Sequence, residues 1–279
     1  MPEQLDHIAQ FLKENDPDRY FASLILPKSC ADDVRALYAF SAEIALTRQR
    51  ITEPATGEIR LQYWVDMLSG TEHGQTQSNP IAQSLFRTID KYDLPTGPLR
   101  RLLAARRFDL YDDPMADTTA FEGYAGETNS ILYQLATLII NGGNDVGGAE
   151  AAGHMGVAHA LIGHLQAMPL TASRGQIYLP WAVFTANGVK ESDFFAGETT
   201  PELINACTQL REIVAKHLAL TKTEIHKLDK KTRPIFANIS VLEKQLHNLT
   251  MMANTPFKSA KNIQDWQKIA KIVWWSIKN

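Results

Sequence analysis

Apolar residues in this chain recur every three to four positions, the spacing that lines one face of a helix. In residues 32–49, Val34, Leu37, Tyr38, Ile44 and Ala45 keep that register behind Asp32 and Asp33, whose charge suits a helix N-terminus. A second helix is expected over 57–69, where Ile59, Leu61, Tyr63, Trp64 and Leu68 recur. A third runs from Asn79-Pro80 to about Lys91. Leu94-Pro95-Thr96 opens the next, which stops near Pro114. Phe121 to Ile140 reads as one long apolar helix, ended by the glycines of 142–148. Glu150 to Ala167, rich in Ala and Gly, reads as a close-packed interior helix. Beyond it the sequence predicts a break around Pro169 and Pro180, a turn at Asn187-Gly188, and long helices near 201–229 and 235–252. Alternation of period two is nowhere sustained, no internal repeat is visible, and no Pro/Ser/Gly linker is long enough to separate a second domain. The expectation is one all-α domain over residues 1–279.

Composition narrows the class. With 279 residues, 44% hydrophobic and 21% charged, the chain can bury a large core without a disulfide or metal staple. Two cysteines, Cys30 and Cys207, make no framework, and they suggest a reducing compartment. The most apolar stretch, Ile131 to Ile140, carries Tyr133 and Gln134 and falls well short of a membrane span. The N-terminus MPEQLDHIAQ has neither secretory nor transit character, so a cytoplasmic location is expected. A net charge of −3 is too small to imply nucleic acid or any strongly charged partner, so none is expected.

That small sum hides an asymmetry. Residues 1–215 hold 16 basic and 27 acidic side chains, a net of −11, whereas residues 216–279 hold 12 and 4, a net of +8. At the end of this basic segment, DWQKIAKIVWWSIKN places Trp266, Ile269, Ala270, Val273 and Ile277 on one helix face. Lys268, Lys271 and Lys278 lie on the other, with Trp275 among them and Trp274 at the boundary. Tryptophans pack helices more often than they anchor them, so the favoured reading docks the apolar face on the core and leaves the lysines in water. The alternative is a membrane-surface or protein contact through the basic segment.

Candidate chemistry is sparse. His154, His159 and His164 recur at intervals that turn a helix by about 500°, so neighbours point apart and cannot share a metal. NGGNDVGGAEAAG follows a helix and lacks a phosphate-loop lysine, so it reads as a turn. Asp109, Asp112 and Asp113 in RRFDLYDDPM are spaced to share a helix face and are the best candidates for a Mg²⁺ site. The plainer reading is a solvated helix end paired with Arg106 and Arg107.

Four stretches, DRYFASLILP (18–27), VRALYAF (34–40), EIRLQYWVDML (58–68) and RGQIYLP (174–180), occur in an order and spacing that resembles the squalene/phytoene synthase family. The resemblance implies an all-α isoprenoid-synthase bundle around a central cavity. In that family, two facing aspartate motifs hold Mg²⁺ against prenyl diphosphates during head-to-head condensation. The first motif should follow YAF, but its aspartate positions fall on Ala45, Leu46 and Gln49. Counting back from Pro180, the second should fall on Thr171 and Ala167. Alanine, leucine, threonine and glutamine supply no anionic ligand for Mg²⁺. Arg48 and Arg50 add positive charge beside the first site, and Arg174 and Tyr178 flank the second, so these four are the candidate ligand-binding residues. LTRQRITEPATGEIRLQYW and LQAMPLTASRGQIYLP resemble a degenerate branch of the family, the mitochondrial respiratory complex I assembly factor and its bacterial relatives. That branch implies a non-catalytic binding or assembly factor without a cofactor. The apolar walls that such a cavity keeps would admit a prenyl or other lipid tail, and the basic C-terminal segment would offer a contact for a protein partner or for a peripheral place at the inner membrane. The competing expectation is an active prenyltransferase that uses Mg²⁺ at the relocated aspartates.

Overall fold

The computed structural model describes residues 2–70, 79–259 and 262–279. Among them are fourteen α-helices and no strand. The first half holds α1 (Pro2–Asn15), α2 (Pro17–Ser23), α3 (Lys28–Ala45), α4 (Pro54–Leu68), α5 (Pro80–Tyr92), α6 (Thr96–Arg106), α7 (Thr118–Ala125) and α8 (Ile131–Ile140). The second holds α9 (Ala149–Ser173), α10 (Trp181–Ala186), α11 (Glu191–Phe195), α12 (Pro201–Ile225), α13 (Ile239–Met251) and α14 (Asp265–Lys278). The all-α architecture expected from periodicity is the one observed.

Local chemistry sets the helix starts. Proline occupies the first turn of α2, α4, α5 and α12, where its missing N–H costs nothing. Side-chain oxygens of Asp16, Asn79, Asp117 and Thr200 accept the orphan amides that open α2, α5, α7 and α12. At the end of α5, Asp93 adopts φ 50, and this left-handed residue turns the chain back.

Three expectations need correction. The single helix over 121–140 is two helices joined by a π-helical turn, Gly126–Ser130. The break at Pro169 does not occur, because α9 carries that proline inside it and ends only at Ser173. The helix expected to reach Pro114 stops at Arg106, passes through a 3₁₀ turn (Arg107–Leu110) and continues in extended form. Asp109, Asp112 and Asp113 therefore do not share a helix face.

The long helices α9 and α12 lie against each other at the centre, and α9 also packs on α8, α13 and the π-turn. α3 packs on α1, α5 and α8. One continuous apolar cluster links Ile8 in α1 to Leu242 in α13, with Phe40, Tyr133, Leu161 and Leu210 almost fully enclosed. Close approach requires glycine at Gly156, where an added Cβ would stand 2.3 Å from the backbone nitrogen of Ser130. The segment after the 3₁₀ turn is tied to RGQIYLP by backbone hydrogen bonds. Met115 N donates to Ile177 O, Trp181 N to Met115 O, and Ala182 N to Ala116 O. RGQIYLP thereby fixes one wall of the cavity.

Cys30 and Cys207 are both buried and free. Burial pushes both thiols up, Cys207 to about 11, so neither is a ready nucleophile. The three histidines of α9 point to separate neighbours, as their spacing requires. His154 meets His217 of α12, His159 meets the Tyr133 hydroxyl, and His164 stacks on Tyr178.

Candidate functional site

A cavity of ≈ 190 Å³ opens where the C-terminal ends of α3 and α9 converge with the 3₁₀ turn after α6. Its lining includes Ala45, Gln49, Ala167 and Thr171, the positions where the sequence led us to expect lost carboxylates. Motifs separated by more than a hundred residues do face each other across one space. Between them the cavity presents three guanidinium groups, Arg48, Arg106 and Arg174, and the carboxylate of Asp109.

The acidic residues near the cavity are already committed. Asp109 accepts from Arg106 Nη1 at 2.9 Å and from the Tyr124 hydroxyl at 2.7 Å, and Arg106 Nη1 also donates to that hydroxyl oxygen. Burial opposes the charge on Arg106, yet Tyr124 and Asp109 outweigh it and raise its pKa above the usual value. Burial likewise pushes the Tyr124 hydroxyl well up, so it remains a donor. Asp112 accepts from Gln176 Nε2 at 3.0 Å and from Arg48 Nη2 at 3.3 Å. Asp113 is exposed and lines no part of this cavity. Among the described residues, no group of three or more His, Cys, Asp or Glu is placed to hold a metal ion.

The candidate ligand-binding arginines divide. Arg48 and Arg174 line the cavity, and they also line a more open depression with Gln49, Ile51 and Gln176. Arg50 turns away, held by both oxygens of Glu43 at 2.8 Å. Arg174 has no ion-pair partner among the described residues. The buried Nε atoms of Arg48 and Arg106 have no hydrogen-bond acceptor there either. Tyr178 reaches the backbone oxygen of Asp109 at 3.3 Å, and burial raises its pKa. It serves as a strut for the wall as well as a lining group. Sequence reading passed over Gln176 and Tyr124. Gln176 stands inside RGQIYLP, two places from Arg174, but nothing in the sequence foretells that Tyr124 reaches Asp109.

Magnesium does not suit this donor set. A divalent hard cation takes anionic oxygens, and the family positions offer two alanines, a glutamine amide and a threonine hydroxyl beside unpaired guanidinium charge. The same arrangement suits an anion, since guanidinium forks bind carboxylate and phosphate oxygens directly. The interior differs from the open apolar chamber that was expected. Phe108, Tyr124, His164 and Tyr178 contact one another through edge and stacked ring pairs at 5.3–6.1 Å. The space they leave is below the roughly 300–1,000 Å³ of ordinary ligand pockets.

Comparison with known proteins places this geometry. The family profile for squalene/phytoene synthase matches residues 12–260. The chain belongs to the squalene/phytoene synthase family. Among solved structures, a dehydrosqualene synthase in complex with ligand superposes with TM-score 0.83 at 17% identity, over 99% of this chain and 96% of the other. Squalene synthase HpnC from Alicyclobacillus acidocaldarius gives 0.76 at 16% identity, over 91% and 95%. These two show that the family fold is complete. The sequence relatives carry a different description. NADH dehydrogenase (ubiquinone) complex I, assembly factor 6, of Rattus norvegicus is 26% identical over 96% of this chain and 84% of its own length. The Homo sapiens protein of the same name is 26% identical over 94% and 82%. Within the squalene/phytoene synthase family, this chain is thus more similar in sequence to proteins described by an assembly role than to the synthases it superposes on.

Proposed function

We propose that this chain is a non-catalytic member of the squalene/phytoene synthase family and acts as a binding factor in respiratory complex I assembly, the role that names its relatives. One observation carries the reading: Ala45, Gln49, Ala167 and Thr171 meet across the cavity where the fold would need carboxylates, and Arg48 and Arg174 stand among them. Two diphosphates in a low-dielectric space require metal ions to neutralise them and activate the leaving group. Two guanidinium groups in that place suit one anionic group, but they do not bridge and neutralise two diphosphates as metal ions would. The ligand of this cavity is accordingly one small anionic group, and a prenyl pair exceeds the room. Location follows from function, at the face of a membrane complex. Among the described residues, no helix is long and apolar enough to cross a membrane.

Thermal unfolding with inorganic diphosphate tests the site. A ligand that binds only the folded chain raises the melting temperature. Diphosphate alone should do so, Mg²⁺ should add nothing, and Arg174→Ala should abolish the shift. Incubation with Mg²⁺ and farnesyl or geranylgeranyl diphosphate should release no condensed hydrocarbon. Condensed product that disappears in Asp109→Asn would overturn the reading in favour of a prenyltransferase. Assembly is tested in the host, where deletion should deplete mature complex I and the Arg174→Ala chain should restore it less well than the natural one. Undiminished complex I after deletion would remove that half of the proposal.

A further inference from the structure

The last helix docks by the face that sequence periodicity left to solvent. Lys268 and Ile272 of α14 are buried, and Trp275 is half-buried beside them. Ile272 closes a small apolar cluster with Phe21, Val241 and Ile263. Lys268 Nζ pairs with Asp18 of α2 at 2.6 Å, and Gln245 of α13 donates to the other oxygen of the same carboxylate. The opposite face is bare: Trp266 is 68% exposed, Trp274 62% and Ile277 73%, with Ile269 and Val273 at about two fifths. These five form a stripe along more than two turns of one helix. Leaving two tryptophans and an isoleucine in water is costly, and the sequence builds the stripe at regular spacing.

We propose that α14 is an in-plane membrane-docking helix, whose Trp266–Ile269–Val273–Trp274–Ile277 face enters the headgroup boundary of an anionic bilayer. Charge complementarity selects this occupant over a protein groove. The segment from residue 216 onward carries a net +8 on an otherwise acidic chain. Lys271 and Lys278 flank the stripe, and Lys278 Nζ stands 4.6 Å from the Trp274 ring centre, poised between indole and phosphate. Apolar residues with interfacial tryptophans on one face and lysines at its edge are what a helix lying in the interface requires. The buried Lys268–Asp18 pair fixes the roll of the helix, so the stripe faces outward before any lipid is met. This inference is independent of what the cavity binds.

Co-sedimentation of the full chain with vesicles tests it. The protein should pellet with phosphatidylcholine–phosphatidylglycerol vesicles, less with phosphatidylcholine alone, and less again at high salt. The double variant Trp266→Ser/Trp274→Ser should lose about ten-fold or more of its partition coefficient. Lys271→Glu/Lys278→Glu should lose the preference for anionic lipid. All four positions are exposed or at the helix edge, so both variants should keep the natural helical circular dichroism and melting temperature. Equal partitioning of the natural chain and the tryptophan variant would overturn the proposal. So would a natural chain that ignores anionic vesicles, or one that self-associates through the stripe and then fails to bind them.

Discussion

At the scale of single residues, charges in this protein are used to fix elements. Lys268 and Asp18 meet in a nearly dry place, with side chains 9% and 14% exposed, and Gln245 donates to the carboxylate's other oxygen. A buried pair adds little over an apolar replacement, but removing one partner strands the other, at a cost of about 3–5 kcal/mol. Lys268→Met should therefore lower the urea midpoint markedly, and adding Asp18→Asn should recover much of the loss. An additive double variant would show that the two do not interact. The histidines give a second expectation. Burial pushes His164 down to about 4 and His159 to about 3, against 6.5 in an unfolded chain. Between those values the unfolded chain takes up protons that the folded one refuses, so stability is full above pH 6.5 and falls as pH drops toward 4. Burial also opposes ionisation of Asp16, but Arg19 overrides it and holds the carboxylate below 3.8, so its loss begins only under this window. Denaturation midpoints between about pH 7.5 and pH 4.5 should fall steeply for the natural chain and less so for His164→Phe.

At the scale of elements, α9 lies on the π-turn so closely that one position requires glycine. A Cβ at Gly156 would lie 2.3 Å from Ser130 N and 2.5 Å from its Cα, atoms that move only with the backbone. At Gly153, one turn earlier on the same helix, an added Cβ meets nothing within 4 Å. Gly156→Ala should destabilise by about 1–3 kcal/mol or more, whereas Gly153→Ala should be neutral or stabilising by up to about 1 kcal/mol. Equal melting temperatures for the two variants would refute this account of the crossing. These helices also show what a sequence discloses. The apolar density of 121–140 announced helix there without showing that α7 and α8 are separate, and Asn79-Pro80 announced the start of α5 through its cap. The π-turn at Gly126–Ser130 left no such mark, because its extra residue is imposed by α9 passing over it. Pro169 misled for the related reason that packing carries α9 past a proline its local propensity would stop at. For α14, periodicity grouped Trp266, Ile269, Val273 and Ile277 correctly and assigned that face to the core. The opposite face is inside, where Ile272 packs on Phe21, Val241 and Ile263 and Lys268 meets Asp18, contacts mostly far away in the chain. At the cavity, the substituted positions were legible one by one only through the family resemblance that YAF and RGQIYLP carry. The hydrogen bonds that commit Asp109 and Asp112 required the fold.

At the scale of the whole molecule, the question is whether the fold retains latent synthase chemistry that four carboxylates would restore. Ala45, Gln49, Ala167 and Thr171 line one cavity, so Ala45→Asp, Gln49→Asp, Ala167→Asp and Thr171→Asp together would again face one another across it. Such a chain has the anionic oxygens a divalent ion needs, and calorimetry should register Mg²⁺ binding to it and none to the natural chain. It should nevertheless condense no prenyl diphosphate. Arg48 and Arg174 would pair with the new carboxylates and compete with the metal. Tyr124, His164 and Tyr178 line a cavity of only ≈ 190 Å³, and Tyr124 is held there by Arg106 and Asp109, which leaves little room for hydrocarbon tails. Restored carboxylates alone should therefore not make this chain a synthase, because Arg48 and Arg174 line the same cavity and Tyr124 stays tied to Arg106 and Asp109. Condensed hydrocarbon from the four-aspartate chain would contradict this, by showing that the tails still find room and that the missing carboxylates were the sole defect.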